Sequence, residues 1–375
     1  MNRLVRVMEP PLSPLSDATL AKISLTINRA GVQQAPNSEA QGLMTSSPDP
    51  VPAAVLPGMD RIRAISKVPA TRPDHALFCR IRNEDYFLPH FLAHYRRLGI
   101  DHFFFADDRS DDGTREVLLA QPDCTVIEAD FAFAEKFGEL QGKNIVARAV
   151  PEHVIGPGWT LTVDADEFMV LPQPFSTIRD LTRHLDAKGE ISCIASMIDF
   201  YPQTLAGRFV ERGVDPFTAF PFFDTGPYFI WEAGKTIPFM LYAGVRHRIN
   251  EWMVEADRGN VWQVYRPTIL QKVPLIKWGH GLFPEKNGHV TNLPPYTGTQ
   301  VGLAHFKFYP DLDIKIEHAI KTGHYQGDSY YYRLLKRFLP AFEHRSLVAL
   351  VSRRFKGAES LHNNRLIFAD GRPFP

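Results

Sequence analysis

"HALFCRIRNEDYFLPHFLAHYRRLGIDHFFFADDRSDDGT", residues 75–114, is the stretch that sets the architecture. "HALFCRIRNE" is an apolar run that ends in a polar turn, the pattern of a buried strand. In "DYFLPHFLAHYRRLG" the apolar residues Phe87, Phe91, Leu92, Tyr95 and Leu98 recur near helical spacing, and Gly99 marks the stop. "DHFFFADD" reads as a second strand and "RSDDGT" as turn chemistry. The alternation then continues through a helix in "REVLLAQ", a strand in "CTVIEAD", a helix in "GELQGKNIVARAVPEHV" and a fourth strand in "GWTLTVDADEF". Strands alternating with helices predict an α/β fold with a mostly parallel sheet and helices on both faces. Ligands of such open sheets sit outside the carboxyl ends of the strands. Asn83 and Glu84, Asp107 and Asp108, and the acidic run Asp164 to Glu167 all fall at those ends.

The acidic run sits in "TLTVDADEFMVLP", residues 160–172. In an extended strand, residues two apart share a face, so Asp164 and Asp166 are expected to project together, with Glu167 on the other face supporting the fold. Two like charges that close repel unless a cation or donor lies between them. A metal ion is one answer; solvated carboxylates at a strand end, or a helix cap, are the plain alternatives. In "FFFADDRSDDGT" a strand-end carboxylate is suited to the N–H of a base or the hydroxyls of a ribose. Asp111, Asp112 and Thr114 there suit an Asx turn and a helix cap.

The chain has 375 residues, 44% apolar and 22% charged, with Lys+Arg and Asp+Glu balanced at 42 each. That balance gives no global basic field for nucleic acid or an anionic membrane. No apolar run approaches the roughly 20 residues needed to span a bilayer, and the start has no apolar segment of the secretory kind. Cys79, Cys124 and Cys193 stand far apart, which suits reduced buried thiols. The expectation is a cytoplasmic protein, at most peripherally associated with membrane. Residues 1–70 are rich in Pro, Ser, Ala, Gln and Gly and are expected to form a disordered arm, apart from a possible short helix in "LAKISLTINRA". After 190 the alternation becomes irregular and rich in aromatics, and a mixed region packed on the first half is expected. Residues 311–352 are mostly helical by period.

Taken together, "RNEDYFLPHFLAHYRRLGIDHFFFADDRSDDGT", "VDADEF", "MIDFYP", "YFIW", "KVPLIKW", "GHV" and "LAHFKFYPDL" resemble the family-2-like bacterial glycosyltransferases of GT-A fold. The acidic turn matches that family's D-D/N-x-S-x-D-G-T element, with Arg109 where Asn or Gly is often found, and Asp164-Ala165-Asp166 matches its D-x-D. The resemblance covers roughly residues 75–335. It implies a GT-A domain over 71–335; a C-terminal helical extension and tail, expected over 336–375, lies outside it.

The resemblance also implies an activity: transfer of a sugar from a nucleotide diphosphate sugar, with UDP favoured, to a glycan or glycoconjugate acceptor. Mn²⁺ or Mg²⁺ would stabilise the charge on the departing phosphate. Asp166 is then the direct metal ligand, with Asp164 at the ribose or a metal-bound water. His305 in "GLAHFKFYP" is a further metal ligand, with His289 as its competitor, and Lys307, two residues on, meets the diphosphate. Asn83, Glu84, Asp107, Asp108 and Lys143 complete the nucleotide-sugar set, and Asp199, Asp224 and Glu232 are candidate bases. His90, His94, His184 and His344 lie in helical stretches as surface or boundary residues, and His247 is a candidate for a loop facing phosphate or acceptor. The competing readings are a nucleotidyl- or phosphotransferase on a related sheet and a glycan-binding module without activity. The first would want a glycine-rich phosphate loop after "CRIRNEDY", which has no glycine; the second would be expected to lack D-x-D.

Overall fold

A computed structural model describes residues 6–8, 55–226, 228–232, 238–241, 244–257, 269–292, 298–323 and 326–370. The "LAKISLTINRA" segment lies outside them. The central sheet takes β1 (Ile62–Ala64), β2 (Ala76–Ile81), β3 (His102–Asp107), β4 (Cys124–Ala129), β5 (Gly158–Thr162), β6 (Glu167–Val170), β7 (Ser192–Asp199), β8 (Gln271–Trp278) and β9 (Gln300–His305). Their order across the sheet is β1-β4-β3-β2-β5-β8-β7-β9-β6. Strands β2, β3, β4, β5, β7 and β9 run one way, and β1, β6 and β8 run against them. This is a mixed α/β fold with a large, mostly parallel central sheet flanked by helices.

The period-2 alternation of β2 shows why the sheet is covered on both sides. Leu77, Cys79 and Ile81 join a core with Phe91 and Tyr95 of α1 (Leu88–Arg97), Leu118 of α2 (Thr114–Leu119) and Leu181 of a helix over Ile178–Ala187. Ala76 and Phe78 point the other way, into a core with Ile145, Val146 and Ala149 of the helix Gly142–Ala149. Strands buried on both faces read as continuous apolar runs, which is the texture of "ALFCRI" and "HFFFAD".

The irregular downstream half contributes both to the central sheet and to small antiparallel pairs such as Phe222–Asp224 with Ser352–Arg354. Its strands β7, β8 and β9 extend the first sheet, with β8 inserted antiparallel between β5 and β7. Beyond β9, a separate apolar cluster joins Val245, Ile249 and Met253 of α3 (Val245–Ala256), Leu312 and Ile316 of α4 (Leu312–Thr322) and Leu335, Phe338 and Leu339 of α5 (Gln326–Phe342). Part of the segment expected as an arm belongs to the fold: β1 pairs with β4, and Leu56 is buried. Arg6–Met8 pairs with Tyr228–Glu232 in a small antiparallel sheet.

Candidate functional site

β5 stops at Thr162, and residues 164–167 form a turn closed by the Glu167 N–H, which donates to Asp164 O at 3.0 Å. This corrects the extended-strand expectation. Alternation holds only while the backbone is extended, and the turn swings Asp164 and Asp166 toward different partners. Asp164 lies 2.7 Å from Lys272 Nζ and 3.7 Å from Arg80 Nη2. Its partial burial opposes ionisation, but Lys272 and then Arg80 hold the carboxyl well below the usual range. Glu167 is also corrected. It turns inward, accepts the Asp164 N–H at 3.0 Å and meets Lys272 Nζ at 2.5 Å, so one buried ammonium serves both carboxylates. Burial, only partly offset by Lys272, pushes Glu167 up to about 7.

Asp166 faces β9 and α4. Its Oδ2 lies 3.7 Å from His305 Nε2, 3.5 Å from Lys307 Nζ and 3.7 Å from Lys315 Nζ, and it is buried without a hydrogen-bond partner. Asp199, His305 and Glu167 are register partners in one row across β7, β9 and β6. Asp199 Oδ1 is 2.7 Å from His305 Nδ1, and its Oδ2 accepts from Arg246 Nε at 2.7 Å. Although Asp199 is buried, Arg246 and His305 hold it ionised, at about 2. An ionised Asp199 accepts, so the proton of His305 sits on Nδ1 and a lone pair on Nε2. Burial lowers the pKa of His305, keeping the ring neutral.

Two acceptors, Asp166 Oδ2 and His305 Nε2, therefore face each other 3.7 Å apart with no donor bonded between them. Metal–ligand bonds of about 2.1 Å span up to roughly 4.2 Å, so one hard ion can touch both. A carboxylate behind the metal-facing imidazole is the usual device for fixing its tautomer. Among the described residues, Asp166, Glu167 and His305 form the group whose ligand atoms lie within 4.8 Å of one another. The donor set fits a divalent cation. Asp164 and His289 stand outside it. Asp164 is turned to Lys272 and Arg80, and His289 donates from Nδ1 to Gln271 O at 2.7 Å, its burial holding it neutral at about 4.

The other expected residues divide. Glu84 joins the site through Lys315, whose Nζ is 2.9 Å from Glu84 Oε1. Asp107 is committed to its turn: Oδ1 accepts from Ser110 N–H at 3.1 Å and from the Ser110 hydroxyl at 2.5 Å, and Oδ2 from Arg115 at 2.7 Å. Asn83, at φ 53, exchanges two hydrogen bonds with Asp111, and Arg109, at φ 61, takes the left-handed conformation that Asn or Gly adopts more readily. Asp108 is less committed, with Arg82 at 3.7 Å and the Phe133 N–H at 3.4 Å, and burial raises its pKa. Lys143 is half-buried near Arg80, and burial lowers its pKa. Asp224 belongs to a separate network with Tyr201, Arg248 and Ser352, away from the metal group. The side chain of Glu232 lies outside the described residues.

Lys272, Arg80, Arg246 and Lys315 were missed by sequence reasoning. A charge inside an apolar strand needs a buried partner, so Arg80 in "ALFCRI" and Lys272 in "QKVPLIKW" carried a signal. "GVRHRIN" was expected as a loop and is the start of α3. There His247 pairs with Glu251 four residues on at 3.5 Å, while Arg246 and Arg248 diverge to Asp199 and Asp224. Lys315 looks like any solvated helical lysine. A cleft adjoins the group on the Asp164 side, lined by Arg80, Asn144, Thr162, Lys272 and Asn287 among others.

No family model and no curated protein matches the sequence. Among solved structures the chain is similar to "Mannosyltransferase PcManGT from Pyrobaculum calidifontis in complex with GDP-Man and Mn2+", at 17% identity and a TM-score of 0.26. The match covers 48% of this chain and 44% of that one, less than half of either.

Proposed function

We propose that the chain is a glycosyltransferase that takes a sugar from a nucleotide diphosphate sugar, UDP-linked, with Mn²⁺ or Mg²⁺, and passes it to a glycan or glycoconjugate. The observation that carries the reading is the pair of buried acceptors, Asp166 Oδ2 and His305 Nε2, facing each other near the carboxyl ends of the parallel strands. Asp166 and His305 would hold the cation, with Glu167 as the third group in reach. When bound, it supplies positive charge to the diphosphate as that group departs. The chain's own residues do the rest. Asp199 fixes the tautomer of His305, so in this reading it orients the imidazole instead of serving as the base. Lys307 brings an ammonium to the same point. Lys272 and Arg80 hold Asp164 at the mouth of the cleft, where its half-exposed oxygens can accept ribose or sugar hydroxyls. Asp108 is the carboxylate with capacity to meet the base.

Incubating the full chain with a panel of nucleotide sugars and Mn²⁺, and measuring release of nucleoside diphosphate, tests the reading. Release of one diphosphate, abolished by chelator and by Asp166→Asn, is expected. No release from any donor, with glycan acceptors supplied, would overturn it.

A further inference from the structure

Lys315 stands on α4, whose Leu312, Ile316 and Ala319 are packed into the helical cluster, so its stem leaves a fixed element and not a loop. Its ammonium reaches Glu84 Oε1 at 2.9 Å and stops 3.7 Å from Asp166 Oδ2, the oxygen that Lys307 approaches to 3.5 Å. Neither lysine is within hydrogen-bonding range of that oxygen, which stays unbonded. One carboxylate oxygen is thus flanked by two ammonium groups carried on separate elements. At 3.5 and 3.7 Å both contacts are longer than the charge-assisted hydrogen bond that Lys315 makes with Glu84.

We propose that Lys315 is a phosphate-contacting residue, acting with Lys307 as a pair of ammonium groups that grip the diphosphate of the donor across Asp166. The proposal rests on the nucleotide-sugar reading and adds a residue from outside the motifs that suggested it. A diphosphate carries its charge on two phosphoryl groups, and two point charges beside the cation-binding carboxylate, one from the segment after β9 and one from α4, can serve both. Glu84 is the positioning residue. Its Oε1 holds the Lys315 ammonium, and the backbone N–H of Glu84 donates to Thr114 Oγ1 at 3.0 Å, which ties it to the acidic turn.

Calorimetric titration of inorganic pyrophosphate into the full chain at saturating Mg²⁺ tests this without assuming a base or a sugar. Lys315→Gln, which can still donate to Glu84, is expected to weaken pyrophosphate binding at least tenfold. Lys315→Arg, which keeps the charge, should stay within about threefold of the parent. A Lys315→Gln protein within twofold of the parent, whatever its melting temperature, would show that Lys315 merely staples α4 to the Glu84 turn, and would overturn the proposal while leaving the nucleotide-sugar reading intact. No pyrophosphate binding by the parent chain would overturn both.

Discussion

Asp166 Oδ2 is surrounded by one imidazole and two ammonium nitrogens at 3.5 to 3.7 Å and bonds to none of them. A buried carboxylate oxygen without a partner is costly, and the neighbouring imidazole presents a lone pair where a donor would be needed. Burial opposes ionisation, but Lys307 and then Lys315 hold the Asp166 carboxyl well below the usual range, so the oxygen remains an acceptor through the neutral pH range. The tautomer of His305 depends on Asp199. Asp199→Asn should therefore weaken Mn²⁺ binding by about 10–100-fold with little change in fold, measured by titration of the ion followed by electron paramagnetic resonance. An unchanged affinity would remove Asp199 from behind the metal ligand. At this scale the sequence was partly legible. His305 and Lys307, two apart in "AHFKF", do converge on one oxygen, with Phe306 and Phe308 buried. Arg246 and Lys315 were not legible, because a helical cation that turns inward has the same local sequence as one that turns out.

β6 is the last strand of the sheet, and its free edge is closed by α1. The Tyr95 hydroxyl donates to Glu167 O at 2.9 Å and accepts the Met169 N–H at 3.0 Å, while His94 Nε2 donates to Met169 O at 2.8 Å. These side chains satisfy an edge that would otherwise be buried unpaired, and they fix the strand that follows the acidic turn. Tyr95→Phe leaves two backbone groups unsatisfied and should cost about 1–3 kcal/mol by urea denaturation; no loss would mean that water replaces the hydroxyl. His94, expected at the surface or boundary, is buried and neutral. Desolvation lowers its pKa to about 4 despite the bond to Met169 O. Its folded pKa lies below the unfolded value of about 6.5, so its contribution is fully present above 6.5 and is lost as pH falls toward 4. Comparing parent and His94→Gln stability from pH 7 to 4 should show a difference that grows to about 3 kcal/mol by pH 4; parallel curves would contradict the assignment. Helix α1 itself was plain from its apolar spacing. Its capping of a strand some seventy residues away was not, since edge pairing is a tertiary fact that local periodicity does not contain.

The whole molecule is held by long-range joins. β8 enters the sheet between strands that precede it, and the C-terminal segment returns to the core, with Leu361, Leu366 and Ile367 buried and Phe368 bridged to Gln300. That tail reads as uninformative in sequence because its apolar residues are few and aperiodic; only the face of β9 at Gly302, against which Leu361 and Ile367 pack, gives them meaning. Truncation after Phe355 removes these buried aliphatic side chains at about 2–5 kcal/mol each, a large share of a total stability of about 5–15 kcal/mol. The truncated chain is expected to be insoluble or to melt more than ten degrees lower, and an unchanged melting temperature would show that the tail is an appendage. The acidic turn, the β9 histidine and the α4 lysine come from distant parts of the chain and meet because β5 and β9 run the same way and finish at one rim of the sheet, where β6 begins. The central claim is that this end binds a nucleotide diphosphate through a divalent cation. Thermal unfolding of the full chain with UDP, GDP and ADP, each with and without Mn²⁺, tests it most directly. Ligand at 100 times its Kd adds about 2.7 kcal/mol, so the melting temperature should rise by a few degrees when one nucleotide and the ion are present together, and not in Asp166→Asn. No rise with any nucleotide, with or without the ion, would contradict the account.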